Sequence, residues 1–436
     1  MHERFKYNTK DKLIQKAKGL GLDLPFSDDV TPLLEPVSIA GMRISNRLVV
    51  QPMEGYDSGI NGTPSELTER RYLRYAAGGS GIIWFEAVSV TEKGRSNPHQ
   101  LWINANTVDR YSFLNDKIRS VAHKRGDEPF LTIQLTHSGR YSRPEGKPEP
   151  RVAAYNPVLD KTRPYILTDD ELKRIQDQYI LASRLAARSG FNAIDLKACH
   201  GYLMVELLAS KDRQKSIFGG EETSDRFRFM LETIDRIKDE LPGMVITTRL
   251  NISDLYSGGF GVDENGGPDF TEPLLLVAQL RLRGIGLLNI SMGSPYFNPY
   301  VTRPFDTTVP GQKVPEEHPL EGIMRMITGT SLFQKKFPGL LFVGSAYSYL
   351  RHYAPNVGAQ VIKNGDASFI GFGRNSFAYP EMPADLMREG RADPKKTCIA
   401  CSGCTRLIRN LRPAGCVIRD KEIYGNELKR LIADGK

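Results

Sequence analysis

Eight short apolar segments, each followed by a stretch of helical character, constrain the fold of this chain more than any other feature. Each is rich in β-branched or aromatic residues and is short enough to form one buried strand. The segments are RLVVQ (47–51), GIIWFE (81–86), FLTIQL (130–135), AIDLKA (193–198), MVITTRL (244–250), GLLNIS (286–291), LLFVGS (340–345) and ASFIGF (367–372). Eight strand–helix units in series, with continuously apolar strands, predict an α/β fold, a closed parallel (β/α)8 TIM barrel.

The segments between the strands predict seven helices, at 65–77, 108–125, 169–189, 224–240, 271–283, 318–336 and 350–364. The third has a clear start, because Thr168 can cap it and three acidic residues follow in its first turn. The alternative architecture is an open doubly wound sheet. That fold normally shows a G-x-G-x-x-G fingerprint after an early strand, and none is found there.

Length and composition fit one large barrel with short additions. The chain has 436 residues, 40% of them hydrophobic, which is enough for a large core. We expect an N-terminal extension over 1–30, a TIM barrel over 31–390 and a short cysteine-rich C-terminal segment over 391–436. The net charge of +8 arises from 59 basic and 51 acidic residues that are intermixed, which gives no sign of a nucleic-acid partner.

The chain shows no export or membrane signal in its sequence. The N-terminus is charged and lacks the apolar core of a signal peptide. No apolar run approaches the roughly 20 residues that a membrane span needs. These observations predict a cytoplasmic protein without a membrane partner.

Four of the five cysteines lie close together near the C-terminus. Cys398, Cys401, Cys404 and Cys416 follow the pattern C-x2-C-x2-C-x11-C. Three thiolates on one tight loop and a fourth shortly after it favour an iron–sulfur cluster. A zinc site is the alternative, although it more often uses two separated C-x2-C pairs.

Polar residues follow several of the predicted strands, at the ends where barrel enzymes bind their ligands. Gln134 and Arg249 are suited to hydrogen-bond a flat heteroaromatic ring. Residues 371–374 offer backbone N–H groups and a guanidinium to a phosphate. Gly and Pro punctuate 257–268 and 293–315, which predicts two long loops on the same face.

The fourth predicted strand ends around Lys197, and His200 and Tyr202 follow shortly after it. A cation and an imidazole aimed at one atom would polarise a carbonyl oxygen, and the phenol offers a proton. The alternative is that these residues have no catalytic role: the histidine makes its hydrogen bonds within the protein, and the tyrosine hydroxyl is simply buried.

Five motifs in order resemble the Old Yellow Enzyme family of FMN-dependent barrels (NADH:flavin oxidoreductases). They are NRLVVQPMEG, RYLRYAAGGSGIIWFEAVSV, IQLTHSGR, HGYLMVELL and GFGR, within about residues 30–420. The cysteines are similar to those of the branch that contains 2,4-dienoyl-CoA reductase and trimethylamine dehydrogenase. That branch carries FMN in the barrel and a [4Fe-4S] cluster beyond it, and usually continues into a domain that binds a second flavin or ADP and a nicotinamide.

The resemblance implies a role for each matching residue. The implied FMN contacts are Pro52, Met53, Glu54, Ala87, Gln134, Arg249, Ser345, Gly373 and Arg374. Lys197 and His200 match the positions that bind a substrate oxygen, and Tyr202 matches the proton donor. The four clustered cysteines match the cluster ligands. One departure is Lys197, which stands where the family commonly has histidine and would favour an anionic or strongly polarised acceptor.

The resemblance implies an ene-reductase that reduces the C=C bond of an enone, enoyl thioester or unsaturated acid, with NAD(P)H as donor. The alternatives are an amine dehydrogenase of the trimethylamine dehydrogenase type and an electron-transfer module. Because the sequence ends at Lys436, soon after Cys416, we also expect a separate electron-donor protein. The oligomeric state stays open, a homo-oligomer included.

Overall fold

The eight predicted apolar segments form the strands of one closed barrel in the computed structural model, which describes residues 4–435. The strands are β1 (Leu48–Val50), β2 (Ile82–Ser89), β3 (Phe130–Thr136), β4 (Ala193–Leu196), β5 (Val245–Asn251), β6 (Leu287–Ser291), β7 (Leu341–Gly344) and β8 (Phe369–Phe372). Each strand pairs in parallel with its neighbours in the sequence, and β8 pairs with β1 to close the barrel. The predicted (β/α)8 fold is confirmed.

All seven predicted helices are present on the outside of the barrel. They are α1 (Glu66–Gly78), α2 (Val108–His123), α3 (Asp169–Arg188), α4 (Thr223–Glu240), α5 (Thr271–Leu282), α6 (Pro319–Lys336) and α7 (Ala354–Lys363). α3 begins as predicted, because the Thr168 hydroxyl accepts a hydrogen bond from the Glu171 N–H and the Glu171 carboxylate accepts one from the Thr168 N–H. α7 starts later than predicted, because residues Tyr347–Tyr353 form 3₁₀ turns.

Several short elements were not predicted. They are helices Lys10–Gly19, Leu203–Leu208, Pro299–Thr302, Arg374–Ala378, Met382–Glu389, Gly403–Arg409 and Asn426–Ala433, 3₁₀ turns Thr31–Leu33 and Gly139–Tyr141, a π-helical turn Lys421–Gly425, and strands Val37–Ile39, Met42–Ile44, Arg151–Val152 and Tyr165–Ile166. The proposed division at 1–30, 31–390 and 391–436 stays a prediction, and its first and last segments reach residues 1–3 and 436, outside the described residues. No helix within residues 4–435 combines the length and the apolarity that crossing a membrane requires.

A hairpin covers the amino-terminal end of the barrel. Strands Val37–Ile39 and Met42–Ile44 pair antiparallel, and Ile39 and Ile44 pack against the first inward-facing residues of the barrel strands. Trp84 belongs to this layer and is 1% exposed. One end of the barrel is therefore filled with apolar side chains, and the carboxyl ends of the strands are left for a site.

A buried ionic network fixes the loop that follows β1. The register of β2 against β3 shifts between Trp84 and Ala87, which marks a β-bulge around Glu86. The Glu86 carboxylate accepts a hydrogen bond from the Gly55 N–H at 2.7 Å and pairs with Arg71 of α1 at 2.5 Å. Arg71 also pairs with Asp57, and all three charged side chains are buried. The network ties the loop at 52–57 to β2 and α1.

Replacing Arg71 should destabilise the fold far more than replacing its neighbour Arg74. Arg71→Met leaves the carboxylates of Asp57 and Glu86 buried without a cation, which costs about 3–5 kcal/mol of unfolding free energy. Arg74 is 29% exposed and pairs with Asp420 at 2.8 Å. Arg74→Met should cost about 1 kcal/mol or less, because Arg70 still pairs with Asp420. Urea unfolding followed by circular dichroism measures both, and equal losses would contradict the assignment.

Candidate functional site

A pocket of about 1090 Å³ opens at the carboxyl ends of the barrel strands. Twelve of its lining residues are the ones singled out in the sequence for a flavin or a substrate. They are Pro52, Met53, Glu54, Ala87, Gln134, Lys197, His200, Tyr202, Arg249, Ser345, Gly373 and Arg374. The structure brings all of them to one place, although they are spread over more than 300 positions of the chain. Their individual roles remain predictions.

Asp195 organises the part of the pocket that would face a flat ring, and the sequence analysis did not single it out. Its carboxylate accepts hydrogen bonds from Gln134 Nε2 at 2.6 Å, from Trp84 Nε1 at 2.7 Å and from the Arg249 backbone N–H at 2.6 Å. Burial raises the pKa of Asp195 to about 6, although these donors oppose the shift. A carboxylate in the middle of the mostly apolar segment AIDLKA was the signal that could have identified it.

Arg249 presents a cation to the pocket. Its side chain is buried and has no salt-bridge partner among residues 4–435, and its Nε makes no hydrogen bond there. An uncompensated buried guanidinium favours negative charge on a ligand beside it. This is the environment that an anionic reduced flavin ring would need, so the residue fits its predicted role.

Two further arginines lie together at another part of the pocket wall. Arg374 Nη2 donates to the Pro304 carbonyl oxygen at 2.6 Å, whereas its Nη1 has no partner in the described structure, and neither has Nη2 of Arg303. Burial and the nearby Arg374 cation lower the pKa of Arg303. Two adjacent cations with unused donors fit a dianionic phosphate, as on FMN. Arg303 was not predicted, although the loop at 293–315 that carries it was placed on this face.

The side chains of Gln51 and Ser345 are held by the protein itself. Gln51 and Asn289 exchange two amide hydrogen bonds of 3.0 and 2.8 Å. The Ser345 hydroxyl accepts from Gln51 Nε2 at 2.9 Å and donates to the Ile290 carbonyl oxygen at 3.0 Å. Of the predicted phosphate contacts, Ser345 therefore has its hydroxyl already engaged.

Lys197, Glu54 and Tyr202 form one connected group. Lys197 Nζ lies 3.8 Å from Glu54 Oε1 and 3.4 Å from the centroid of the Tyr202 ring. The Tyr202 hydroxyl donates to Glu54 Oε1 at 3.0 Å and lies 3.0 Å from the hydroxyl of Tyr296. Burial lowers the pKa of Lys197, and the Glu54 carboxylate opposes that shift. Tyr296, on the loop after β6, is a pocket residue that the sequence analysis missed.

His200 occupies a constrained turn between β4 and helix Leu203–Leu208. Its φ is 65° and that of Gly201 is 74°, so two consecutive residues are left-handed. A Cβ at Gly201 would approach the Tyr141 ring to 3.1 Å. His200 Nε2 lies 3.0 Å from the Ser291 hydroxyl, and burial lowers the pKa of His200 well below its usual value of 6.5. The imidazole is therefore neutral at physiological pH.

The four clustered cysteines line a second cavity, of about 340 Å³, which shares Arg374 with the main pocket. The Ala400 N–H donates to Cys398 Sγ and the Arg419 N–H to Cys416 Sγ, both at 3.3 Å. Burial raises the pKa of Cys398 to about 12 and that of Cys416 to about 11. Within residues 4–435, no set of three or more His, Cys, Asp or Glu side chains is arranged to hold a metal ion. The donor types suit a cluster, and the four thiols share this cavity without being gathered around a single metal ion.

Helix Gly403–Arg409 joins the two cavities. Cys404, near its start, lines the cysteine cavity, while Thr405, Ile408 and Arg409 line the main pocket. The C-terminal segment therefore forms part of the wall of the candidate active site. From the sequence this segment was expected beyond the barrel, and its contribution to the pocket wall was not predicted.

Two relatives illustrate the sequence similarity of the chain. It is 30% identical to an NADPH dehydrogenase of Clostridium acetobutylicum over 236 residues, 53% of this chain and 67% of that protein. It is 27% identical to an NADH oxidase of Thermoanaerobacter brockii over 382 residues, 86% of this chain and 54% of that protein.

Two solved structures share the fold. A 2-naphthoyl-CoA reductase in complex with 2-naphthoyl-CoA superimposes with a TM-score of 0.73 at 20% identity, over 92% of this chain and 58% of that one. Histamine dehydrogenase from Rhizobium sp. 4-9 gives 0.69 at 19% identity, over 90% of this chain and 53% of that one. The chain thus spans little more than half the length of either protein.

The protein family that the sequence matches is consistent with the barrel fold and with a pocket at the carboxyl ends of its strands. The sequence model of the NADH:flavin oxidoreductase / NADH oxidase family matches residues 32–277, more than half of the chain. This range includes β1 to β5 and nine of the twelve predicted residues that line the pocket. The chain belongs to the NADH:flavin oxidoreductase / NADH oxidase family and is a flavin-dependent oxidoreductase of the Old Yellow Enzyme type.

Proposed function

We propose that this protein is an FMN-dependent ene-reductase that uses NAD(P)H and reduces the C=C bond of an α,β-unsaturated carbonyl compound. The observation that supports this most is the position of the Tyr202 hydroxyl. It lies in the same pocket as Gln134 and Arg249, the proposed ring contacts, and beside Lys197 and His200, the proposed contacts to a substrate oxygen. In this proposal one pocket therefore combines a proton donor, two groups that bind the substrate oxygen and a site for the flavin ring.

In this proposal Gln134 and Arg249 hold the flavin ring, with Asp195 as a positioning residue behind them. Arg303 and Arg374 hold the phosphate. When bound, FMN supplies the hydride that adds to the β-carbon of the substrate. The protein supplies the matching proton and a defined orientation for the carbonyl group.

Lys197 and His200 bind the carbonyl oxygen, where negative charge develops as the double bond is reduced. His200 contributes a neutral imidazole, with the Ser291 hydroxyl engaging its Nε2. Lys197 contributes its ammonium, which Glu54 keeps beside the Tyr202 ring. Holding the oxygen at two points also fixes the substrate's α-carbon relative to Tyr202.

Tyr202 donates the proton to the α-carbon. Burial raises the pKa of Tyr202 well above its usual value, so the phenol keeps its proton at neutral pH. The Tyr296 hydroxyl, 3.0 Å away, is placed to return a proton after each turnover. Glu54 fixes the orientation of the Tyr202 hydroxyl by accepting its hydrogen bond.

Amine oxidation is a weaker assignment for this pocket. A site for a methylated ammonium needs aromatic faces that are free to receive a cation. The face of Tyr202 already carries the Lys197 ammonium, 3.4 Å from the ring centroid. A cationic substrate would therefore meet an internal cation at that position.

We also propose that Cys398, Cys401, Cys404 and Cys416 ligate a [4Fe-4S] cluster. Their spacing, their common cavity and the two N–H groups that point at sulfur support this proposal. The raised pKa values of Cys398 and Cys416 mean that these thiols stay protonated unless a metal draws the proton off. A separate electron-donor protein remains part of this proposal.

Removing the Tyr202 hydroxyl should separate proton donation from flavin reduction. Tyr202→Phe should slow reduction of an enone by about 10²–10⁴-fold. Reduction of the bound flavin by NAD(P)H should stay at the wild-type rate, because that step needs no proton from Tyr202. Stopped-flow absorbance measures the two half-reactions separately. Tyr141→Phe is the matched control, since this ring lies 6.0 Å from that of Tyr202. Wild-type enone turnover by Tyr202→Phe would refute the role.

Flavin affinity should fall at mildly acidic pH because of Asp195. Above its pKa of about 6 the carboxylate accepts hydrogen bonds from Gln134 and Trp84. As the pH falls through 6 the group gains a proton, loses an acceptor site and releases Gln134, which should weaken FMN binding about tenfold. Titration of the apoprotein with FMN by fluorescence quenching tests this. Asp195→Asn should bind FMN weakly at every pH, and a wild-type profile without a step near 6 would contradict the assignment.

The cysteine proposal predicts the metal content of the purified protein. Anaerobically purified wild type should contain about four iron and four sulfide per chain. Cys401→Ala should lower both strongly and should leave FMN content unchanged, because Cys401 does not line the main pocket. Cys199→Ala is the control, since this buried cysteine lies outside the cysteine cavity. Zinc in place of iron, or no metal in wild type, would overturn the proposal.

A further inference from the structure

The charges that line the main pocket are strongly unbalanced. Its described lining contains five cations and one carboxylate, namely Lys197, Arg249, Arg303, Arg374, Arg409 and Glu54. Glu54 is already committed to Lys197 and Tyr202. The proposed flavin accounts for Arg249 at its ring and for Arg303 and Arg374 at its phosphate. Arg409 is the one of these five cations that has neither an anionic side-chain partner among residues 4–435 nor an assigned flavin contact, and it lies close enough to Arg303 to repel it.

Arg409 lies in the pocket wall beside the loop that follows β6. It ends helix Gly403–Arg409, is half-buried, and makes no salt bridge among residues 4–435. Its Nη2 donates to the Pro295 carbonyl oxygen at 3.3 Å. That bond holds the guanidinium next to the segment carrying Tyr296, whose hydroxyl contacts the proposed proton donor Tyr202. The remaining N–H groups of the fork are available to a ligand.

We infer that Arg409 binds a carboxylate on the substrate, at a point remote from the unsaturated carbonyl group whose C=C bond is reduced. A guanidinium in a partly buried wall pairs well with a carboxylate, because its fork can donate two parallel hydrogen bonds. Lys197 and His200 lie at the end of β4, whereas Arg409 comes from the C-terminal segment. Two separated contacts would fix both the position and the direction of an elongated substrate.

This inference rests on the proposed ene-reductase function and narrows its substrate class. The preferred compounds are unsaturated carbonyl compounds with a second, negatively charged end. Neutral enones would still be reduced, because the groups around Tyr202 are unchanged. The inference also gives the cysteine segment a role in specificity that does not depend on a metal cluster.

A pair of probes that differ only in charge tests the inference. The first is a benzylideneacetone with a para-carboxylate on its ring, and the second is its methyl ester. With the holoenzyme and NAD(P)H, the acid should have the lower KM in wild type. Arg409→Gln should raise the KM of the acid by about 10- to 100-fold and leave kcat nearly unchanged. The KM of the ester should change by less than about fivefold.

Two other variants test whether the change in KM is specific to the guanidinium of Arg409. Arg406→Gln removes the same charge from the same helix, at a position that does not line the pocket, and should leave the KM of both probes near wild type. Arg409→Lys should keep part of the preference for the acid, because lysine retains the positive charge but lacks the planar guanidinium that can donate two parallel hydrogen bonds. FMN content and the thermal midpoint of each variant check that the fold and the flavin site are intact.

Binding without turnover separates this inference from the proposed function. The saturated analogues of both probes are not reducible, so calorimetry gives their dissociation constants directly. If wild type reduces neither probe but binds the saturated acid more tightly than the ester, and Arg409→Gln abolishes the difference, only the ene-reductase proposal fails. If wild type reduces both probes but binds acid and ester equally, the anchor role of Arg409 is overturned.

Discussion

Closure of a parallel sheet is the constraint on which the rest of this molecule depends. Parallel strands bury both faces, and eight of them can do so by pairing the last with the first, as β8 does with β1. Closure also brings all eight carboxyl ends to one rim. That is why Gln51, after β1, reaches Asn289 of β6 across the barrel. The pocket exists because distant segments meet there.

The rim contains buried and half-buried charges of two kinds. In one kind the protein provides both partners, as with Arg71 and Glu86, which hold the loop after β1. In the other the protein provides only a cation, as with Arg249, Arg303 and Arg409. A buried or half-buried cation without a partner costs stability, so such groups persist where a ligand compensates them. We infer that these cations bind the flavin and an anionic substrate.

The sequence predicted the strands and the main helices well because their signals are local. The eight apolar segments and caps such as Thr168 need no knowledge of distant residues. The site was predicted less completely. Lys197 and Tyr202 were found because they follow a strand in a motif, whereas Asp195 was hidden within an apolar segment. Arg303 and Arg409 gave no local signal, since one lies in a long irregular loop and the other beyond the barrel.

The sequence by itself determined the barrel, the family and twelve of the residues that meet at its rim, because periodicity and short motifs are properties of neighbouring residues. Only the tertiary structure decided how the charges are paired. Glu54 satisfies Lys197, Asp195 holds Gln134, and Arg409 faces the pocket from the cysteine helix. An ion pair forms only when two charged groups lie within a few ångströms of each other. The two residues can be hundreds of positions apart in the sequence, so their pairing depends on tertiary packing that no local pattern encodes.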